Sequence, residues 1–223
     1  MKKALIVTGG WEGHEPYKSA QIFNEFLISC GYETKISTNL DVYLNIAELK
    51  LMNLIVPVWT MGEITRNQEK NLLQAVASGV GIAGWHGCMG DSFRQSTDYQ
   101  FMVGGQWVAH PGGIINYDVQ ITNTTDQITK GISNFSICTE QYYMHVDPSN
   151  EVLATTQFKG DQIISDIAPY KCEWITDNIM PVVWKRKWGQ GKVFYNSIGH
   201  KLSDFDVPEV LEIIKRGMLW ASR

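Results

Sequence analysis

Residues 81–88, Gly81-Ile82-Ala83-Gly84-Trp85-His86-Gly87-Cys88, read as an uncharged strand that stops abruptly on a histidine. A short apolar run closed by turn residues is the pattern of a strand buried on both faces. Working outward, Asn53 to Val58 is a second such run and Ala4 to Val7 a third. Between them lie helical patterns. One runs from about Tyr17 to Ser29 with Ala20, Phe23 and Leu27 on one face, and Gly31 supplies its left-handed stop. Another begins at Thr65-Arg66-Asn67-Gln68, which has capping-box spacing, keeps Leu72, Ala75 and Val76 inward and ends at Gly79. Glu33 to Thr38 alternates as a strand does. Strands alternating with helices predict an α/β fold with a doubly wound, mostly parallel sheet.

The second half changes character. Asn116 to Thr122, Cys138 to Val146 and Glu151 to Thr156 are strand-like, and Val182 to Lys187 with Lys192 to Ser197 predict an antiparallel hairpin turning at Gly189-Gln190-Gly191. A last helix is expected from Pro208 to about Ala221, with Val207, Val210, Leu211, Ile214 and Met218 inward. Without linkers, repeats or low-complexity tracts, the 223 residues are expected to form one domain, 1–223.

Composition narrows the partners. The chain is 44% hydrophobic and 19% charged, with a net charge of −4, which excludes a disordered chain. Basic residues are scattered apart from Lys185-Arg186-Lys187, which reads as a solvated strand end or turn, so no nucleic-acid face is expected. No apolar stretch is long enough to cross a membrane, and the run after Met1 stops at Val7, too short for a signal peptide. Cys30, Cys88, Cys138 and Cys172 lack CxxC spacing. A reducing, cytoplasmic location is the expectation. The oligomeric state is left open, a homo-oligomer included.

In a doubly wound sheet, ligands bind beyond the carboxyl ends of the strands. His14 lies in the loop after the first strand, His86 follows Trp85, and His200 follows the strand ending near Ser197. Three histidines are thus expected at one edge, with His110 in a loop and His145 in a strand. His86 between glycines resembles an elbow that exposes a reactive side chain, while Cys88 reads as a small buried residue. Glu140 beside Tyr142 and Tyr143 suits sugar hydroxyls and sugar faces. Trp11, Glu12 and Trp85 are further candidates for the substrate side. The loop Gly9-Gly10-Trp11-Glu12-Gly13-His14 has neither the dinucleotide nor the P-loop glycine spacing.

Several segments belong together: Gly84-Trp85-His86-Gly87, Gly104-Gly105 with His110-Pro111, Glu140-Gln141-Tyr142, Val152-Leu153-Ala154-Thr155, Met180-Pro181-Val182-Val183-Trp184, Gly189 to Tyr195, Ile198-Gly199-His200 and Trp220-Ala221. In this order they resemble the ThuA-like family, named for trehalose utilisation, whose fold is similar to class I glutamine amidotransferases. The resemblance implies a flavodoxin-like sheet and a role in carbohydrate metabolism. Amidotransferases carry a cysteine at the elbow and a late His-x-Glu pair. Here His86 stands at the elbow and Leu202 at the glutamate position, so glutaminase activity is not expected.

The expectation is therefore an enzyme acting on a sugar or keto-sugar derivative, a hydrolase, lyase or isomerase. His86, His200 and Glu140 are the catalytic candidates, and His14, Glu12, Trp11, Trp85, His110 and Tyr142 the substrate-binding ones. Neutral imidazoles with a carboxylate also suit a divalent metal such as zinc. No H-E-x-x-H spacing is present, so only the fold could assemble such a site. The competing expectation is a non-catalytic carbohydrate-binding or regulatory protein that kept the pocket.

Overall fold

A computed structural model describes residues 1–223. The first half alternates strand and helix: β1 (Lys2–Gly10), α1 (Pro16–Ser29), β2 (Tyr32–Ser37), the single turn α2 (Ile46–Leu49), β3 (Leu54–Thr60), α3 (Arg66–Ala77) and β4 (Gly81–Trp85). The Thr65 side chain and Gln68 form the expected capping box at the start of α3. Short helices α4 (His86–Gly90) and α5 (Thr97–Val103) follow. Then come β5 (Gly105–Ala109), β6 (Ile114–Ile121), β7 (Phe135–Glu140), β8 (Tyr143–Val146), β9 (Glu151–Gln157), β10 (Ile163–Ser165) and β11 (Ala168–Lys171). The chain closes with β12 (Ile179–Trp188), β13 (Gly191–Asn196) and α6 (Pro208–Ala221).

Nine strands form one sheet in the order β2-β1-β3-β4-β13-β12-β9-β6-β7. The first five are parallel, in the order of a flavodoxin-like sheet, and the rest join antiparallel. α1 and α6 cover one face through Phe23, Leu27, Val210, Ile214 and Met218. α3, α4 and α5 cover the other through Leu72, Val76, Met89 and Tyr99. Each fully buried large apolar side chain contributes about 1.5–3 kcal/mol, so these two layers hold the sheet between them.

Three segments depart from the sequence reading. Cys138 to Val146 is two strands, because the chain breaks at Gln141 and Tyr142, whose side chains turn inward. Lys185-Arg186-Lys187 lies at the end of β12, the strand-end alternative, but Lys185 and Arg186 are paired rather than freely solvated. Lys185 pairs with Asp126 and Glu151, and Arg186 with Asp147 at 3.0 Å. On α6, Ile213 and Gly217 are buried where Leu211 was expected, a shift of the apolar stripe around the helix.

Candidate functional site

The parallel strands deliver the imidazoles. After β1 the chain makes one tight turn, Glu12–His14, which folds His14 back over the sheet edge. His86 follows β4 directly and has φ of 42°, a conformation that costs a non-glycine residue of order 1–3 kcal/mol. The Tyr195 hydroxyl donates to the His86 carbonyl at 3.0 Å and helps hold it there. A Cβ at Gly84 would lie 2.6 Å from Cβ of Met89, and one at Gly87 would collide with Cε1 of His14. Both glycines therefore serve close approach, Gly87 by admitting the second imidazole. His200 follows β13, its backbone N–H donating to Oδ2 of Asp204 at 2.9 Å.

The carboxylate arrives from the antiparallel half. β6 pairs with β9 only at its last two residues, Gln120 and Ile121, and carries β7 alongside it as the edge of the sheet. This hairpin brings Glu140, the last residue of β7, to the histidines. The Thr139 hydroxyl donates to the same Asp204 oxygen at 2.7 Å, and the Tyr117 hydroxyl to the Glu140 carbonyl at 3.2 Å.

His86 Nδ1 lies 2.8 Å from the Ser197 carbonyl oxygen, which can only accept, so Nδ1 carries a proton and donates. Nε2 is thereby turned toward Glu140 Oε2 at 3.1 Å. The same oxygen lies 3.3 Å from Nδ1 of His200. That approach is outside hydrogen-bonding angles, and His200 Nδ1 is buried without a hydrogen-bonded partner. Nδ1 of His14 is 2.7 Å from the Thr60 hydroxyl. The three rings sit 4.8 to 5.3 Å apart, centroid to centroid. One donor atom from each of His14, His86, Glu140 and His200 falls within 4.8 Å of the others.

Burial lowers the His14 pKa to about 3, helped by the neighbouring imidazoles, so the ring is neutral near pH 7. His86 is also lowered by burial, with Glu140 and the Ser197 carbonyl opposing. Burial pushes the Glu140 carboxyl up, but His200 and His86 outweigh it and hold the group well below the usual carboxylate range. The site is an ionised carboxylate ringed by imidazoles.

Around this centre the aromatic residues form a wall. Tyr142 stacks on His86 at 4.0 Å, Trp107 lies 6.1 Å from Tyr142, and the Arg94 guanidinium covers Trp107 at 4.3 Å. His110, partly exposed, sits 3.7 Å from Glu140 Oε1. Trp11 is exposed and meets His14 edge-on at 4.7 Å.

Of the residues singled out in the sequence, His14, His86, His110, Glu140, Tyr142, His200 and Trp11 come together. Trp85 does not. It packs in the core between Phe23 and Phe205, because β4 is buried on both faces and only His86 escapes past the strand end. Glu12 stays exposed on its turn, outside the cluster. The three imidazoles are buried against one another, with His86 fully enclosed. A cleft of about 280 Å³ lined by Glu63, Ile64, Phe93 and Ser96 shares no residue with the cluster. Thr60, Ser197 and Asp204, which set the rings and the carboxylate in place, carried no signal in the sequence.

Fold and site together define a flavodoxin-like α/β protein with a histidine–carboxylate cluster at the carboxyl ends of its parallel strands. The ThuA family, described as trehalose utilisation, matches residues 3–221, and the chain belongs to it. A ThuA-like protein from Bacteroides uniformis ATCC 8492 superposes with a TM-score of 0.77 at 18% identity, covering 99% of this chain and 91% of that one. One from Parabacteroides merdae ATCC 43184 gives 0.73 at 16%, covering 99% and 89%. A β-galactosidase from Bacillus circulans sp. alkalophilus matches with 0.58 at 13%, covering 99% of this chain but 30% of its own. No curated protein matches the sequence. No helix is long and apolar enough to cross a membrane.

Proposed function

We propose that this chain is a single-domain, cytoplasmic enzyme of carbohydrate metabolism that acts on a sugar or keto-sugar derivative by acid–base chemistry. One observation carries the reading: Glu140 Oε2 lies within 3.3 Å of two imidazole nitrogens, on His86 and His200. His86 Nε2, left without a proton while Nδ1 donates to Ser197, can take one from the substrate, and the Glu140 carboxylate beside it stabilises the imidazolium that forms. A carbonyl on the sugar acidifies the adjacent C–H bonds, which matches a base of this kind. The packed centre leaves no room for a sugar ring among the imidazoles. The substrate is expected at the rim, where Trp11 and His110 are partly exposed and offer a ring face and a polar edge.

The family's description supports the sugar class. Four unpaired cysteines agree with a reducing compartment. Glutaminase chemistry is disfavoured, because the Cys88 thiol is fully buried and its pKa is pushed up to about 12 by that burial.

The test is turnover of keto-sugar glycosides by wild type and Glu140→Gln. Loss of the shared carboxylate should lower kcat by roughly 10²–10⁴ with a much smaller change in KM. Equal turnover by the variant would contradict the role of Glu140. Saturable sugar binding without any turnover by wild type would replace the enzyme with a carbohydrate-binding protein.

A further inference from the structure

We infer that His14, His86, His200 and Glu140 form a site for one divalent transition ion of the zinc class. The inference deepens the keto-sugar reading, resting on it for the ion's use, as a Lewis acid toward the sugar carbonyl in place of direct proton exchange by its ligands, but on geometry alone for the ion itself.

The first argument is tautomeric. Nδ1 of His86 is committed as a donor to the Ser197 carbonyl, and Nδ1 of His14 is engaged by Thr60. Each ring is left with Nε2 unengaged by these partners, and that of His86 faces Glu140 Oε2 at 3.1 Å. Fixing one imidazole nitrogen on a backbone carbonyl or a hydroxyl is how proteins aim the other at a metal.

The second argument is what His200 leaves unsatisfied. Its Nδ1 is buried, has no hydrogen-bonded partner, and lies 3.3 Å from a carboxylate oxygen. A buried polar atom without a partner costs stability unless something is meant to meet it. An ion between the nitrogen and the carboxylate would satisfy both.

Distances give the third argument. A tetrahedral ion with bonds near 2.0–2.1 Å spaces its ligand atoms roughly 3.4 Å apart. His86 Nε2 to Glu140 Oε2 is 3.1 Å, and His200 Nδ1 to the same oxygen is 3.3 Å, so two edges are already at that length. No two donor atoms of the set lie more than 4.8 Å apart. Three nitrogens and one oxygen favour zinc, cobalt, nickel or copper over magnesium or calcium, which prefer all-oxygen sites. Thiolate takes no part, since Cys88 Sγ lies against Thr60 rather than in the set.

The test uses cobalt(II) and zinc alone, on protein stripped with chelator and carrying Cys30→Ser and Cys138→Ser, because those two thiols are exposed. Wild-type protein in this background should take up one ion per chain. Its cobalt spectrum should show nitrogen and oxygen ligands without thiolate charge transfer, and zinc should raise the melting temperature. His86→Ala or His200→Ala should weaken binding by more than the roughly 10–100-fold that losing a ligand's supporting partner costs, and Thr60→Val should fall within that range. Thr60→Val and Glu140→Gln keep the side-chain shape and guard against a variant that fails to fold. His145→Ala, on an exposed ring, should change nothing. Absence of stoichiometric uptake, or uptake indifferent to His86→Ala and Thr60→Val alike, would overturn the site. Ion binding without keto-sugar turnover would sink the sugar reading alone. Full turnover by chelator-stripped protein would overturn the ion's part in it.

Discussion

The parallel and antiparallel halves of the sheet contribute to one site by different physical routes. In the parallel half, neighbouring strands end at the same level, so whatever follows β1, β4 and β13 is brought together by sheet geometry alone. His14, His86 and His200 meet for that reason. The antiparallel half supplies Glu140 and Tyr142 from outside that register, through a hairpin that pairs with β9 at only two residues before turning back. The imidazoles are placed by backbone and the carboxylate by tertiary contacts, chiefly the bridge from Thr139 through Asp204 to the His200 N–H. A site built across such a seam has a rigid side and a side that depends on a few hydrogen bonds.

The largest effect should come from removing a group on the rigid side. His86→Ala should abolish turnover to within roughly 10²–10⁴ of wild type, as expected for a lost general acid–base. It also strands the Ser197 carbonyl and Glu140 in the interior, so a stability loss of about 1–3 kcal/mol should accompany it, read by chemical denaturation. Unchanged turnover would remove His86 from the chemistry.

Next in size is the seam itself. Asp204→Ala deletes the acceptor shared by β7 and the loop carrying His200. Hydrogen bonds to a buried charged group are worth about 1.5–3 kcal/mol, and a loss of that order should appear with a drop in turnover, although Asp204 touches no substrate. If activity survives while stability falls, the seam is structural only and Glu140 is held by something else.

Smaller again is Gly87→Ala. Its backbone is helical and tolerates alanine, so the effect is steric: the new methyl meets the His14 ring. Overpacking of this kind costs about 1–3 kcal/mol. The His14 ring should move while the fold persists, which a crystal structure of the variant would show. The smallest effect is expected for Cys88→Ser. Turnover should be close to wild type, and in the folded protein iodoacetamide should modify Cys30 and Cys138 but not the buried Cys88. Inactivation that tracks alkylation of Cys88 would restore a cysteine nucleophile.

The same contrast explains what the sequence could reveal. Apolar runs at Ala4–Val7, Asn53–Val58 and Gly81–Trp85 signal buried parallel strands, and in that architecture the residue after each strand is placed at once. His14, His86 and His200 were legible by that rule. Glu140 was legible as a candidate from its tyrosine neighbours, but its contact with His86 was not. That contact depends on how the β6–β7 hairpin is set against β9, which no local pattern encodes. Trp85 was misplaced because a strand buried on both faces has no alternation to tell core from edge. Thr60 and Ser197 act through a hydroxyl and a carbonyl that any strand end could offer.

The central claim is that the imidazoles and Glu140 form one electrostatic unit across the seam, and it can be measured without knowing the substrate. Ring nitrogens can be followed by NMR in protein labelled with ¹⁵N-histidine, for wild type and Glu140→Gln. The account predicts that wild-type His86 carries its proton on Nδ1. On the substitution, the signals of His86 and His200 should shift together while exposed His145 stays in place. A His86 ring that samples both tautomers, or that ignores the loss of the Glu140 charge, would contradict it.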